Sequence, residues 1–561
     1  MLVRIYHWTI KSTPFYGIIL ACAILLNACN DPEPSASNAS SIPSIPPIQL
    51  VFVYDWEKKA WIDAVTTQFN LNSHKISNGQ PIQVKAIAKH SVQLIDEVLD
   101  EIEQVHLISP ASTAFIKLGN AKSQALLGKD MVFNAENLVL SPLVIALWKP
   151  MAKALGWNKK NLGWHDILAL TNSQGWATYY YPQWGRFKLG HPHPEYSNIG
   201  LLALFTQVYA GLDKLGNLTR ADIKQAKTYL HKIQQTVAHY RQSSRFFYRE
   251  LLDNGPNYLS AALLSENQVV QSYQHYNLAV ELVAIYPKEG TVWSEHPIGI
   301  LKRDWVTSNH YEAARNYIDY LLAKPQQEKA LQYGFRPANV SVPLTTPIDA
   351  EHGVNPQAPQ LTLEMPSAPV IDAILNLWKH SKKPANIAIV LDISGGMRGD
   401  KIRHARATIM QLLQKLNDVD SISILVFNDK INWVSQAVLL GKQRERLQRQ
   451  VKHQFTGGST ALYDAISQAY DSLLNNFAKI STILVLSEGE DSQSSLTFKD
   501  LLRKIQFDND KRPIRISTIG YGTQAEKNHL KDIANISQGQ FYDGTASNSS
   551  EIVKDLIAFL N

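Results

Sequence analysis

The chain has 561 residues, more than one compact domain holds. At about 150 residues per domain that is three or four units, a closely packed pair counting as two. Apolar residues make up 45% and charged residues 19%, which excludes a disordered or fibrous chain. The formal net charge is +6, and taking away Arg4 and Lys11, which fall in a leader, leaves +4; that is too mild to predict a nucleic-acid partner. The two cysteines, Cys22 and Cys29, both lie in the first thirty residues, so the globular part cannot hold a disulfide or a cysteine metal site.

Arg4 and Lys11 give the chain a positive start, and Phe15 to Leu26 is an apolar run of about a dozen residues, too short for a spanning helix and right for a signal sequence. It ends in Leu26-Asn27-Ala28-Cys29, which resembles the bacterial lipobox. The resemblance implies a signal peptide over residues 1–28, acylation of Cys29 and a hold on a membrane face outside the cytoplasm. Residues 29–47 are rich in Ser, Pro and Asn, cannot bury a core and read as a tether.

Ile48–Tyr54 is a predicted strand, and Asp55 caps a helix carrying Trp56, Trp61, Val65 and Phe69. Ile82–Ala88 and Val105–Ile108 are further strands, with helical sequence between them. This alternation argues for an α/β layout with a mostly parallel sheet. A long helix is expected over Tyr311–Leu331. Thr345–Pro369 is Pro-rich and reads as loosely packed, and Ile371–Trp378 as a last helix. Ser381–Pro384 is a linker, and residues 385–561 form a second α/β unit.

Within residues 48–380, Leu138–Ile145, Leu155-Gly-Trp157, Gly163-Trp164, Trp184–Gly190, Ser197-Asn-Ile-Gly200, Ser265–Val270 and Gly334–Pro337 resemble the bacterial extracellular solute-binding proteins of ABC importers. The class includes molybdate- and sulfate-type receptors. The resemblance implies two α/β lobes, a periplasmic-binding-protein-like domain, with a ligand cleft between them that closes about a hinge. Helix starts collect anions and polar ligands. Ser109 and Ser112 stand at one predicted start and Ser197 and Asn198 at another, so these four are the candidate solute contacts. Each serine also reads as an ordinary helix cap. His191 and His193 lack a third metal ligand, and Tyr179, Tyr180, Tyr181 and Trp184 read as cleft lining or as core. After the first strand stands Asp55 with Glu57, where oxyanion receptors usually offer a small hydroxyl. A carboxylate there repels a bare oxyanion, so molybdate and sulfate are not the expected ligands.

Asn386–Met397 is an apolar strand ending in Asp392-Ile-Ser394-Gly-Gly396. It resembles the Asp-x-Ser-x-Ser motif of von Willebrand factor A domains. Gly457–Asp464, with Thr460, matches the second motif, and the strand Thr482–Ser487 runs into Glu488-Gly489, where the family has Asp-Gly. The resemblance implies a doubly wound, Rossmann-like sheet with its site at the carboxyl ends of the strands. That site would hold Mg²⁺ or Mn²⁺ on Asp392, Ser394, Thr460 and Glu488, with a partner protein's carboxylate completing the shell. Two positions depart from the pattern. Gly396 lacks the second serine's hydroxyl, and Glu488 is one methylene longer than Asp. A metal-free domain that keeps only the shape is the other reading.

The chain shows no Gly-rich phosphate loop, nucleophile elbow or His-Glu-x-x-His, so no catalysis is expected. The expected protein is a lipid-anchored extracytoplasmic binding protein with a small solute in one domain and a protein partner on the other. The alternative is the receptor component of an ABC importer.

Overall fold

The computed structural model describes residues 45–171, 174–241, 243–274, 280–474, 480–506, 514–523, 526–545 and 549–560. The leader and nearly all of the tether, Cys29 included, lie outside the described residues. Among the described residues no helix is long and apolar enough to cross a membrane.

The strands before residue 340 are β1 (Ile48–Asp55), β2 (Ile82–Lys89), β3 (Leu107–Ser109), β4 (Val132–Asn137), β5 (Val139–Trp148), β6 (Leu189–Pro192), β7 (Val237–Arg241), β8 (Ala261–Ser265), β9 (Leu282–Ile285), β10 (Trp293–Ser294), β11 (Pro297–Leu301) and β12 (Arg336–Pro337). They build two sheets, one per lobe. Lobe 1 has the order β2-β1-β3-β11-β4, and lobe 2 the order β10-β5-β8-β6-β7, with β9 and β12 also on β5. The expected mostly parallel sheet is mixed. β1 runs parallel to β2 and β3, but β11 is antiparallel to β3 and β4, and β5 is antiparallel to β8, β9, β10 and β12. The reason lies in the first two of three crossings between the lobes, the third taking the chain from helix Lys324–Gln332 on lobe 1 to β12 on lobe 2. The chain leaves lobe 1 between β4 and β5 at Leu138 and returns between β10 and β11 at Glu295 and His296. A returning strand beside the departing one must run against it, as the pairs Pro297–Asn137 and Ser294–Ser141 record.

The helix after β1 buries Trp61, Ile62, Val65 and Phe69 in one cluster with Tyr317, Ile318 and Leu321 of Ser308–Leu322. The single helix expected over Tyr311–Leu331 is instead two, Ser308–Leu322 and Lys324–Gln332, parted at extended Ala323. Pro325 has no N–H for the carbonyl four residues back, and its ring collides with that carbonyl. The segment Thr345–Pro369 is a packed strap, not a loose one. Leu363 donates to Thr291 O at 2.8 Å and Thr291 to Leu361 O at 3.1 Å, while Ile348, Val354 and Leu363 are buried.

The second half carries β13 (Ala385–Asp392), β14 (Ser421–Phe427), β15 (Ile431–Leu439), β16 (Ile480–Ser487), β17 (Arg515–Gly520) and β18 (Phe541–Asp543), ordered β15-β14-β13-β16-β17-β18. All neighbours are parallel except the edge strand β15. Helices Asp400–Lys415 and Ser549–Leu560 cover one face, and Leu462–Leu473, Phe498–Ile505 and Glu526–Ile536 the other. β13 is buried at every position, as a strand covered on both faces must be.

The two halves are packed together, and residues 46–561 form one compact unit. β7, at the edge of lobe 2, lies against helix Ser549–Leu560. The linker is fastened to lobe 2: Lys383 Nζ donates to Val237 O at 2.9 Å, and His231 Nδ1 lies 3.0 Å from Ser381 O.

Candidate ligand cleft and metal-ion site

A cavity of about 650 Å³ lies between the lobes, a usual size for a small-molecule site. Lobe 1 lines it with Asp55, Trp56, Glu57 and Ser91; lobe 2 with Tyr196, Ser197, Asn198, Ser243, Arg245 and Arg249. Of the expected contacts, Ser197 and Asn198 are in this lining, and Ser109 and Ser112 lie outside it. Ser197 caps helix Asn198–Leu212, accepting from Gly200 N, and Asn198 Nδ2 donates to Ser294 Oγ at 2.8 Å. Asn198 Oδ1 is buried without a partner.

Ser109 and Ser112 sit behind the cavity, at the crossing between lobes. Lys58, fully buried, donates from Nζ to Ser109 O at 3.0 Å and stands 3.1 Å from His296 Nδ1. An ammonium can only donate, so Nδ1 accepts and the His296 proton sits on Nε2. That nitrogen is 3.8 Å from Glu57 Oε2, and neither atom has a hydrogen-bond partner. His296 has φ +42°, a left-handed backbone held at the crossing. Burial pushes the Glu57 carboxyl up to about 8, with Asp55 reinforcing it and Lys58 opposing. Burial also pulls Lys58 down to about 8.

Asp55 has partners on both oxygens. Oδ1 accepts from Glu57 N at 3.0 Å and Oδ2 from the Ser91 hydroxyl. Ser91 Oγ accepts in turn from Ala111 N at 2.9 Å. The donors at these turns therefore already converge on a carboxylate of the protein. Trp56 is stacked by Arg245 from the opposite lobe, 4.7 Å from the ring.

The other aromatic and histidine candidates lie elsewhere. Tyr181 stacks on Trp184, Trp184 meets Trp176 edge-on, and none of Tyr179, Tyr180, Tyr181 or Trp184 lines the cavity. His191 is buried with Nδ1 2.7 Å from Pro192 O, and His193 is packed against Tyr196, Tyr240 and Trp378.

In the second half, the loops after β13, β16 and the Gly457–Thr460 turn meet at the switch point of the sheet, where β13 and β16 are neighbours. Gly395 N donates to Gly458 O, Gly457 N to Ile393 O, and Ser492 N to Thr460 O. These bonds bring Asp392, Ser394 and Thr460 together. Asp392 is fully buried, its Oδ1 accepting from Ser394 N at 2.8 Å and its Oδ2 from Ser487 Oγ at 2.6 Å. Burial pushes its carboxyl up, and neighbouring Glu488 adds to that. Ser394 Oγ is buried without a partner.

The two departures from the motif are one event in space. A Cβ placed on Gly396 would lie 1.5 Å from Glu488 Oε1. The longer acid fills the room a serine would take. Lys401 Nζ pairs with Glu488 Oε2 at 2.6 Å, so this carboxylate is neutralised by the chain itself. Among the described residues no cluster of three or more His, Cys, Asp or Glu is placed to hold a metal. The orphaned Ser394 hydroxyl, the uncompensated Asp392 and Thr460 fit a loosely held ion; Glu488 is engaged elsewhere.

Several of these residues escaped the sequence reading: Ser487, Lys401, Trp56 as a cleft residue, Ser91, Ser243, Arg245 and Arg249. Ser243-Ser244-Arg245 before a helix was a helix-start signal of the kind used for Ser197, but β7 ahead of it is short and polar. Lys401 is one of many lysines until the fold sets it beside Glu488.

The comparisons agree with this division. A family profile for bacterial extracellular solute-binding proteins matches residues 53–336, and one for the von Willebrand factor type A domain matches residues 386–557. Human inter-alpha-trypsin inhibitor heavy chain H2 is 25% identical over 182 residues, which are 30% of this chain and 19% of that protein. An uncharacterized protein of Mycobacterium tuberculosis is 19% identical over 464 residues, 77% of this chain and 65% of that one. The chain thus spans about a fifth of the first relative and under two thirds of the second. Among solved structures, the periplasmic binding protein AfuA from Actinobacillus pleuropneumoniae aligns over 59% of this chain and 98% of its own, with 14% identity and a TM-score of 0.42. A von Willebrand factor type A structure from Catenulispora acidiphila aligns over 32% of this chain and 42% of its own, with 20% identity and a TM-score of 0.28. The chain belongs to the bacterial extracellular solute-binding proteins and carries, behind that domain, a von Willebrand factor type A domain.

Proposed function

We propose that the protein is a membrane-anchored, extracytoplasmic binding protein. The inter-lobe cavity takes a small solute, and the von Willebrand factor A domain docks a protein partner. The observation that carries this reading is the cavity itself, walled by polar side chains of both lobes. Ser197 and Asn198 contact solute in this reading, while Ser109 and Ser112 belong to the crossing. Acylated Cys29 and the tether supply the membrane hold; mass analysis of the mature N-terminus finding no acyl groups would overturn that part. A docked partner domain covalently fused to lobe 2 favours a receptor that stays with its partner over one that hands solute to an importer. Adjacent permease and ATPase genes would reverse that preference.

Mg²⁺ or Mn²⁺ would be held on Asp392, Ser394 and Thr460, and weakly, because Gly396 offers no oxygen and Glu488 is paired with Lys401. An ion held there would supply a Lewis-acid contact for a partner's carboxylate. Thermal-shift screening of the full chain tests the solute reading. A ligand at about 100 times its Kd adds roughly 2.7 kcal/mol, and a broad library giving no shift counts against it. Calorimetric titration with Mg²⁺ and Mn²⁺ tests the ion: weak binding that vanishes in Asp392→Ala is expected, and binding unchanged by that substitution would place the ion elsewhere.

A further inference from the structure

The two walls of the inter-lobe cavity differ in what they ask of a ligand. On lobe 1, the turn donors are already taken: Glu57 N and the Ser91 hydroxyl both give their hydrogens to Asp55. What that wall shows the cavity is the Asp55 carboxylate, with the Lys59–Asp63 ion pair beside it. An anion finds no welcome there, whereas a hydroxyl hydrogen does.

Lobe 2 is the opposite. Ser243 stands at the N-cap of helix Ser244–Tyr258 in an extended conformation, yet its side chain makes no capping bond. Its hydroxyl is buried, lines the cavity and has no partner among the described residues. The first-turn N–H groups of that helix are left without a side-chain cap, and they add positive potential. Arg245 and Arg249, in the first and second turns of the same helix, also line the cavity, and neither has a carboxylate partner among the described residues. Beside them, Asn198 Oδ1 is a buried acceptor lacking a donor. This wall therefore offers cationic donors at one point and an unfilled acceptor at another.

Resting on the solute-binding reading, we propose that the cleft takes a hydroxylated organic anion. Its phosphate or carboxylate sits on lobe 2 against Ser243, Arg245 and Arg249, and its hydroxyls donate to Asn198 Oδ1 and Asp55. Asp55 is a built-in anion at the lobe 1 turns, which is why a bare oxyanion cannot bridge the two walls. The volume of about 650 Å³ suits a ligand of sugar-acid or sugar-phosphate size with its water.

Calorimetry of the full chain with glycerol 3-phosphate, ribose 5-phosphate and gluconate, against ribose, inorganic phosphate, sulfate and choline, tests this. At least one hydroxylated anion is expected to bind ten-fold or more tighter than ribose, phosphate, sulfate or choline. Arg245→Ala with Arg249→Ala should weaken it at least ten-fold, and Ser243→Ala several-fold. Asp55→Ser should free the Ser91 and Glu57 donors and shift the preference toward phosphate or sulfate. Ribose, choline or a bare anion binding tightest, or affinity indifferent to the two arginines, would overturn the proposed class while leaving a solute cleft in place. Silence from every probe would overturn the proposed class, and the broad thermal-shift library then decides separately whether the cleft takes a solute at all.

Discussion

Glu488 and Gly396 show how two unusual residues can be one adaptation. With a Cβ on residue 396 only 1.5 Å from Glu488 Oε1, a serine and a glutamate cannot coexist there without a shift. Gly396→Ser alone should then cost about 1–3 kcal/mol by overpacking, read as a lower melting temperature. Gly396→Ser with Glu488→Asp should regain that loss and restore the hydroxyl the motif lacks. The double variant is expected to bind Mg²⁺ at least ten-fold tighter, about 1.4 kcal/mol, and titration of both variants checks it. Equal affinities would mean that the missing hydroxyl is not what weakens the site. Asp392, Ser394, Thr460 and Glu488 could be named as candidates from the sequence because they lie in ordered motifs. The collision between residues 396 and 488, and the arrival of Lys401, are facts of three dimensions that no spacing records.

At the scale of elements, the helix start after β1 is tied to the crossing through Lys58, Glu57 and His296. Burial holds the Glu57 carboxyl near 8 in the folded chain, against an ordinary 4.5. The folded state thus keeps its proton more tightly. Glu57's contribution to stability is fully present below about pH 4.5 and is lost as pH rises toward 8. Lys58 acts in the other sense. Its folded value near 8, against 10.5, makes the unfolded chain the tighter proton binder, so stability recovers between about 8 and 10.5. This pair predicts a local minimum of stability near pH 8. Glu57→Gln should remove the falling limb and leave the rising one; a denaturant series at pH 5, 6.5, 8 and 9.5 measures it. Each limb is limited to one proton, about 1.4 kcal/mol per pH unit. β1, β2, β3, β13 and β16 were readable from their apolar runs; β4 to β12 were not, β10 and β12 being only two residues long. β15 was not, because it is an edge strand with only one of its nine residues buried. The lobe crossings were not, because a chain that returns antiparallel has the same local pattern as one that continues.

The whole molecule is joined by a polar seam that composition hides. On lobe 2, Glu250 accepts from Arg241 Nε at 2.9 Å and from Tyr258 OH at 2.7 Å. Across the seam stands Arg515, 5% exposed, and burial lowers its pKa, with Tyr258 and Glu250 opposing and Arg241 adding to the fall. Tyr542, whose hydroxyl donates to Asp555 at 2.7 Å, lies within electrostatic reach of the same groups. Two guanidiniums are therefore buried in one place, and Glu250 is a carboxylate that acts on both. The docked halves should unfold in a single thermal transition, since separation would strip partners from each side. Removing one partner of a buried charged set costs about 3–5 kcal/mol. Glu250→Ala would remove an attraction felt by both Arg241 and Arg515 that offsets the repulsion between them. At roughly 2–4 °C per kcal/mol, the solute-binding half should melt earlier by about 6–20 °C, and one calorimetric peak should become two. Adding Arg515→Met should take away the repulsion and bring the peaks back together in part. A single unshifted peak for Glu250→Ala would show that the seam is held by its apolar contacts, Tyr196 on the core of the von Willebrand factor A half among them, and not by charge.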